Sequence, residues 1–267
     1  MKNWKVKFSS STVEFVLDGK FATIGKMVDK SNAIYITDEN VYALHQQQFK
    51  GKPTIVMPAG EAHKQQATVD FMIEALLNFG ANRQSVLIGV GGGVVTDMVG
   101  YVAGIFMRGV QFGFVPTTLL AMVDASIGGK NGIDVGVYKN MVGLIRQPAF
   151  IVYDHSFLTT LPSYQWENGF AEIIKHAAIK DAKMMKELSE NNLTYYQKNK
   201  KALAALIEKN VLLKVKVVQK DEFEKGDRKL LNFGHTLGHA IENEHALLHG
   251  HAISIGMVYA AKISQVL

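Results

Sequence analysis

Histidine is the side chain that most readily serves as a neutral metal ligand, and this sequence concentrates it. Of the nine histidines, six are His176 or fall between His235 and His251. Possible ligands lie in three segments, the first of which also holds an acid, Glu172: Gly169-Phe170-Ala171-Glu172-Ile173-Ile174-Lys175-His176, Asn232-Phe233-Gly234-His235-Thr236-Leu237-Gly238-His239, and His249-Gly250-His251. His235 and His239 are four apart and share a helical face; Glu172 and Lys175 share another. One isolated histidine is most often a hydrogen-bonded core group or a solvated one. Five of the six lie in these segments, where neighbouring glycines permit close approach, and that favours a glutamate-histidine-histidine centre with positions open to substrate. The sequence contains no cysteine, so a thiolate centre and a disulfide framework are both excluded. Spacing leaves His235/His239, His235/His249 and His239/His251 all open as the histidine pair.

A second chemistry lies in Gly91-Gly92-Gly93, which follows an apolar run, Ser85–Val90, and precedes a helical pattern, Val94–Phe106. Glycines there expose backbone N–H groups, and the helix N-terminus adds its positive end, which together suit a pyrophosphate. Asp97 is expected in the first turn, and Gly100 and Gly104 are expected to let the helix pack closely on a sheet. Alone, three glycines are a weak signal, since a plain strand-to-helix turn explains them equally well. Polar residues after the neighbouring strands strengthen the reading: Asp38, Glu61 with Lys64, and Thr117 with Thr118. Parallel strands gather such residues in one crevice, where an acid can hold ribose hydroxyls and threonines can hold phosphate or an amide. Candidate anion ligands are Arg108 in Met107-Arg108-Gly109, Lys130 after Asp124-Ala125-Ser126-Ile127-Gly128-Gly129, Lys139-Asn140, and Arg228. A random lysine is usually a surface charge. Here Lys130 sits in a glycine-rich turn, and Arg228 is expected on one helical face with Asn232 and His235.

The elements that must position these residues come in two textures. Up to about residue 155, apolar runs at Ala33–Thr37, Thr54–Met57, Ser85–Val90, Phe112–Val115 and Phe150–Tyr153 alternate with helical patterns such as Ala67–Phe79 and Val94–Phe106. That alternation predicts a parallel sheet covered by helices on both faces. Beyond it the pattern turns helical, over Ser163–Lys180, Lys201–Lys220, Leu230–Glu244 and Ala252–Leu267. An α/β domain at 1–154, with a Rossmann-like sheet binding a dinucleotide, and an all-α metal- and substrate-binding domain at 155–267 are expected, with a ligand cleft between them.

With 267 residues and 48% apolar content the chain can bury a core, and its net charge of +5 is mild and scattered. Basic blocks with interleaved aromatics are lacking, which argues against nucleic acid, and no run approaches the ~20 clean apolar residues of a membrane span. A signal peptide is not visible, and a cytoplasmic location is expected. Ala252–Leu267 reads as a helix without a stop signal, so a further C-terminal segment is expected.

Taken in order, the motifs resemble the 3-dehydroquinate synthase family. They are Gly91-Gly92-Gly93-Val94-Val95-Thr96-Asp97, Met107-Arg108-Gly109, Pro116-Thr117-Thr118 through Gly129-Lys130, Lys139-Asn140, Ala171-Glu172-Ile173-Ile174-Lys175, and Arg228 through Ala240. The resemblance runs from about Thr37 to the last residue. It implies zinc on Glu172, His235 and His249, with His239 beside the substrate. It implies NAD on Asp38, Glu61, Lys64, Gly92, Gly93, Val94, Asp97, Thr117, Thr118, Lys130, Lys139 and the turn Phe157, Leu158, Thr159, Thr160. It places Asp124, Lys130, Asn140, Lys175, Lys214, Arg228 and Asn232 in the substrate pocket. Arg108 would reach substrate phosphate across a homodimer interface. The implied reaction, in the shikimate pathway of aromatic amino-acid biosynthesis, converts 3-deoxy-arabino-heptulosonate 7-phosphate to 3-dehydroquinate and phosphate. Glutamate with two histidines accepts zinc or cobalt alike. Three departures stand out: Asn131 where a small hydroxyl residue is usual, His251 where an acid usually follows His-Gly, and no counterpart of the family's last helical segment with its phosphate-binding lysine. Rival readings are a sister cyclase of the aminocyclitol synthase type, a metal-dependent polyol dehydrogenase, and an NAD-binding regulatory module with no need of a metal.

Overall fold

The computed structural model describes residues 2–245 and 247–266. The chain forms two compact units, Met1–Thr160 and Leu161–Leu267. Among the described residues the first holds nine strands: β1 (Lys2–Lys7), β2 (Thr12–Leu17), β3 (Ala33–Asp38), β4 (Thr54–Met57), β5 (Val86–Gly91), β6 (Gln111–Pro116), β7 (Lys130–Val135), β8 (Tyr138–Ile145) and β9 (Phe150–Val152). Seven of them make one sheet, in the order β1-β2-β9-β6-β5-β3-β4, in which only the β1–β2 pair is antiparallel. Every residue of β5 and β9 is buried, as an unbroken apolar strand covered on both faces must be. Residues from β2, β3, β5, β6 and β9, among them Val16, Tyr35, Ile88, Val115 and Val152, share one core with Phe21, Phe49 and Phe157.

All five expected strands are present within about a residue of the expected bounds. The hairpin pairs β1–β2 and β7–β8 were not expected. β1 carries Lys2, Lys5 and Lys7 at exposed positions and reads as polar, while β2 is a short run in which Val13, Phe15, Val16 and Leu17 are buried. β7 and β8 are interrupted by glycines, and most of β8 is exposed, so neither shows an apolar pattern.

The helices of this unit are a single turn α1 (Ile24–Met27), α2 (Glu39–Phe49), α3 (Gln66–Asn78) and α4 (Gly93–Ile105). Gly100 and Gly104 do not face the large sheet. They face the β7–β8 hairpin, where a Cβ on Gly100 would stand 1.8 Å from Asn131 Oδ1 and one on Gly104 2.3 Å from a Leu144 methyl. Asn131 cannot retreat, because its Nδ2 donates to the carbonyls of Gly129 (2.7 Å) and Arg146 (2.9 Å) and ties the hairpin's ends together. Asp97 stands beyond the first turn of α4, correcting the expectation of a dipole partner.

The turn after β9 is tied by Asp154. Its carboxylate accepts from the backbone N–H of Phe21 (2.9 Å), from Ser156 N (3.1 Å) and Oγ (2.6 Å), and pairs with Lys20 at 3.4 Å. Burial alone would raise its pKa, but these donors outweigh it and hold the group below the usual carboxylate value.

The second unit is helical: α5 (Ser163–Lys180), α6 (Ala182–Glu190), α7 (Leu193–Lys198), α8 (Lys200–Lys220), α9 (His235–His245) and α10 (His249–Ser264). The expected continuous helix Leu230–Glu244 is broken. A 3-10 turn covers Asp227–Asn232, Phe233 turns out of helical geometry (ψ 123°), and Gly234 adopts φ +78° before α9 begins. A side chain at Gly234 would also meet Met257 at 2.6 Å, so α9 and α10 pack where only glycine fits. The break takes Arg228 and Asn232 off the face that carries His235. The last helix begins at His249 rather than the expected Ala252, and the Leu267 end of that expected helix lies outside the described residues. Among the described residues, no helix is long and apolar enough to cross a membrane.

Gly100→Ala is expected to cost about 1–3 kcal/mol by overpacking against Asn131, read as a lowered midpoint in urea. Asp154→Ala is expected to cost about 1.5–3 kcal/mol at neutral pH. Because the native carboxyl pKa is depressed, its contribution is full above the unfolded value of about 3.9 and fades as pH falls through the native one. The wild-type and variant stability curves should therefore converge in acid; a constant gap would contradict this role.

Candidate active site

Glu172 lies at the middle of α5, and its side chain has no solvent exposure. Lys175, one turn on and equally buried, makes a close ion pair with Glu172 Oε2. His235, the first residue of α9, brings Nε2 to 3.9 Å from Glu172 Oε1, and His249, the first of α10, brings Nε2 to 3.4 Å. The start of α10 is held over this spot by Asn168, whose Oδ1 accepts from Gly250 N at 2.6 Å. Asn168 stands one turn before Glu172, so one helix positions both.

Both imidazoles are oriented from behind. His235 Nδ1 lies 3.2 Å from the Phe233 carbonyl and His249 Nδ1 lies 3.3 Å from Glu242 Oε2. With Nδ1–H donating to those acceptors, Nε2 is the ring atom that each imidazole turns toward Glu172. Burial, with the charge of Lys175, pushes His235 down to about 4, so it is neutral at pH 7. Burial also acts to lower His249, but Glu172 and Glu242 outweigh it and push it up to about 9. A cation bound there must displace that proton.

Ligand atoms of Glu172, His235 and His249 all lie within 4.8 Å of one another, a set that fits a tetrahedral divalent cation with an open position. His239, His249 and Glu242 form an overlapping group by the same measure. The His239 ring stands 5.2 Å from that of His235 and 5.9 Å from that of His249. His251 turns away to Glu167 at 3.3 Å. His176 is a core group, its Nδ1 3.0 Å from Asn210 Oδ1.

Other candidates in this unit are placed differently. Lys214 is buried on α8. Arg228 is buried, but its guanidinium donates to the Glu222 carbonyl and its N–H to Asp221 (3.1 Å), while exposed Asn232 donates to Glu224 at 2.7 Å. Glu242 and Asn168 were missed. Their only sequence signal is spacing, Glu242 three residues after His239 and Asn168 four before Glu172.

In the first unit the strand ends converge as expected. β3 pairs with β5 on one side and β4 on the other, and Asp38, Met57, Gly91 and Pro116 end their strands on one edge. The chain crosses back between β4 and β5, which makes the β3/β5 boundary a topological switch point. Gly92 caps α4 there and would bring a Cβ to 3.1 Å from Thr118. Thr117 Oγ1 is buried with no hydrogen-bond partner among the described residues. Asp38 caps α2 by accepting from Val41 N (2.9 Å), and burial raises its pKa. Glu61 is likewise raised by burial.

Lys64 Nζ donates to Asp97 Oδ2 (2.7 Å) and Asn140 Oδ1 (2.6 Å), with Glu61 at 3.8 Å. Burial would lower its pKa, but Asp97 and Glu61 outweigh that and raise it. Lys139 and Asn140 lie on β8, Lys130 opens β7 with its side chain exposed, and Asp124 lies in a short π-helical turn after Thr118. After β9, Phe157 and Leu158 are buried, Thr159 is exposed, and Thr160 Oγ1 lies 2.8 Å from His45 Nε2. Arg108 is the outlier. It follows α4 and precedes β6, so it lies at the opposite edge of the sheet, with φ +66°.

A parallel sheet with a glycine turn at its switch point, joined in sequence to helices bearing a Glu-His-His cluster, defines a class of nucleotide- and metal-site enzymes. A 2-deoxy-scyllo-inosose synthase, crystallised with carbaglucose-6-phosphate, NAD+ and Co2+, matches with a TM-score of 0.87 at 29% identity, over 99% of this chain and 77% of that one. A 2-epi-5-epi-valiolone synthase from Streptomyces hygroscopicus subsp. jinggangensis 5008, with NAD+ and Zn2+ bound, matches at 0.84 and 28%, over 96% and 75%. A probable glycerol dehydrogenase from Sinorhizobium meliloti 1021, at 14% identity and 0.66, shares the fold alone.

The chain belongs to the 3-dehydroquinate synthase family: its N-terminal family model matches residues 54–168 and its C-terminal one residues 169–267. The 3-dehydroquinate synthase of a Nitratiruptor species is 41% identical over 243 residues, 88% of this chain and 68% of that protein. That of Geobacillus kaustophilus (strain HTA426) is 46% identical over 213 residues, 79% of this chain and 58% of that protein. The aligned region thus covers between about three-fifths and two-thirds of these relatives' lengths.

His235→Ala and His249→Ala are each expected to abolish stoichiometric Zn2+ or Co2+ binding in equilibrium dialysis; full occupancy in either variant would contradict the ligand assignment. Glu172→Gln removes the carboxylate paired with buried Lys175, and a stability loss of about 3–5 kcal/mol is expected in urea titration.

Proposed function

We propose that the chain is a 3-dehydroquinate synthase, a phosphate-eliminating cyclase converting 3-deoxy-arabino-heptulosonate 7-phosphate to 3-dehydroquinate and phosphate. The observation that carries this is buried Glu172, held by Lys175 and faced by His235 and His249, within a chain of this family. In this reading 1–154 binds NAD and 155–267 binds metal and substrate. When bound, NAD takes up and gives back a hydride, and a divalent cation, Zn2+ or Co2+, polarises the oxygen of the carbon being oxidised.

The chain's own residues supply the rest. Amides at Gly92, Gly93 and Val94 would hold the pyrophosphate at the N-terminus of α4. Asp38 would accept from ribose hydroxyls, and Thr117 Oγ1 is a buried group suited to a nicotinamide amide. Glu61, Lys64, Asp97, Lys139, Thr118 and the Phe157–Thr160 turn complete that side. Lys175 keeps the Glu172 carboxylate fixed toward the two imidazoles. In the helical unit Lys214 and Arg228 would offer positive charge to the substrate's carboxylate and phosphate and Asn232 would orient a hydroxyl; in the α/β unit Lys130 would offer charge, and Asp124 and Asn140 would orient hydroxyls. His239 would exchange a proton at the substrate's oxygen. Elimination of phosphate, ring opening and aldol closure need positioning and charge stabilisation more than a strong dedicated base.

A homodimer and a cytoplasmic location belong to the same reading. Exposed Arg108 would reach a partner's phosphate site. The β7–β8 hairpin exposes Val137 (80%), Met141 (74%) and Tyr138 (66%), a surface apolar enough to suit a second copy. Sedimentation of Met141→Asp as a monomer and wild type as a dimer is the expected pattern.

The deciding assay is phosphate release from 3-deoxy-arabino-heptulosonate 7-phosphate with NAD and Zn2+. Release of phosphate and 3-dehydroquinate with no net NADH supports the reading. A sister cyclase, favoured by the 0.87 structural match to the inosose synthase, would instead release phosphate from another sugar phosphate. Stoichiometric NADH from a polyol would mark a dehydrogenase.

A further inference from the structure

The Glu172, His235 and His249 cluster depends on which nitrogen each imidazole presents. His235 takes its orientation from a backbone carbonyl, which mutation cannot remove. His249 takes it from a side chain. Glu242 lies seven residues earlier, on α9, and its carboxylate is 9% exposed and 3.3 Å from His249 Nδ1. The opposite ring atom, Nε2, stands 3.4 Å from Glu172 Oε1. His249 is therefore held between two carboxylates, one on each nitrogen. Its side chain is 29% exposed and it opens its helix, so no preceding turn of α10 packs against it. Backbone alone would leave the ring able to rotate or flip.

We infer that Glu242 is the positioning residue of the metal centre: its carboxylate fixes the Nδ1–H tautomer of His249 and so turns Nε2 toward Glu172. A carboxylate behind a ligating imidazole also raises its basicity, which strengthens the bond to a cation. This inference rests on the reading of Glu172, His235 and His249 as the ligand set. Geometry also offers the opposite arrangement, with Glu242 itself a ligand beside His239 and His249. Two features favour a positioning role. Glu172 is the more deeply buried acid, and His235 points at it rather than at Glu242.

The two arrangements separate by cation binding and by the Co2+ absorption spectrum, neither of which needs substrate or NAD. The 267-residue chain would be titrated with Zn2+ and with Co2+ as wild type, Glu242→Ala, Glu242→Gln and His239→Ala, with thermal unfolding recorded for each. For Glu242→Ala the expected result is a loss of affinity of roughly 10–100-fold, the usual effect of removing such a partner, with the visible Co2+ band envelope kept. Glu242→Gln should recover most of the affinity, because its amide oxygen still accepts from Nδ1–H. His239→Ala should bind as wild type. Wild-type affinity in Glu242→Ala overturns the inference while leaving the ligand set intact. A changed Co2+ envelope in both Glu242→Ala and His239→Ala overturns it in favour of Glu242 as a ligand. If Glu242→Ala fails to fold, Glu242→Gln decides alone, since a positioning role requires near-wild-type affinity with an unchanged Co2+ envelope. A wild-type chain that binds neither cation overturns both the inference and the ligand set on which it rests.

Discussion

A carboxylate kept entirely from water dictates the construction of the helical unit. Burying an isolated charge is costly enough that the group would neutralise unless partners were supplied. Glu172 is supplied with three: Lys175 from its own helix, and His235 and His249 from the first residues of two others. Helix starts suit this task, because a side chain there can lean out past its own backbone. Each start has its own device. Gly234, in the left-handed region, ends the preceding turn and lets α9 begin at His235. Asn168 accepts from Gly250 N and fixes the start of α10. The same buried acid raises His249 and makes the cluster ready to exchange a proton for a cation.

The nucleotide side obeys a different constraint. Parallel strands end together, so polar residues placed after them share one edge without further design. Charge there is largely internally balanced: Lys64 is flanked by Asp97, Glu61 and Asn140, and Asn140 N donates to Asp134 at 2.7 Å. This network links α4, β8 and the turn after β4. The hairpin β7–β8 that carries Lys130, Lys139 and Asn140 is clamped to α4 by the Asn131–Gly100 contact. Asn131 thus has a structural reason for its place: it closes the hairpin's ends and occupies the space that Gly100 leaves.

Sequence alone determined the strands of the parallel sheet, the helical character of the second half, the glycine turn and the residue types of the metal cluster. These are local properties: apolar runs, 3.6-residue periodicity and the conformational demands of glycine are written in adjacent residues. It did not reveal β1, β7 or β8, whose patterns are too polar or too interrupted to stand out, nor β2, a short apolar run directly after the polar β1. It also misjudged Arg228, because periodicity continues through Phe233 and Gly234 while the backbone does not.

Spacing did not decide which histidines face Glu172; the family resemblance named His235 and His249, and the physical reason lies in three dimensions. Spacing places His235, His239, His249 and His251 on helices, but a helix has faces whose direction is set by packing, and the glycine contact between α9 and α10 sets it here. His251, two residues from His249, consequently turns to Glu167. Glu242 had only its spacing from His239 to mark it, and an acid on an amphipathic helix is usually a solvated charge. Its role arises from a distance between side chains on two helices, a quantity that no single stretch of sequence contains.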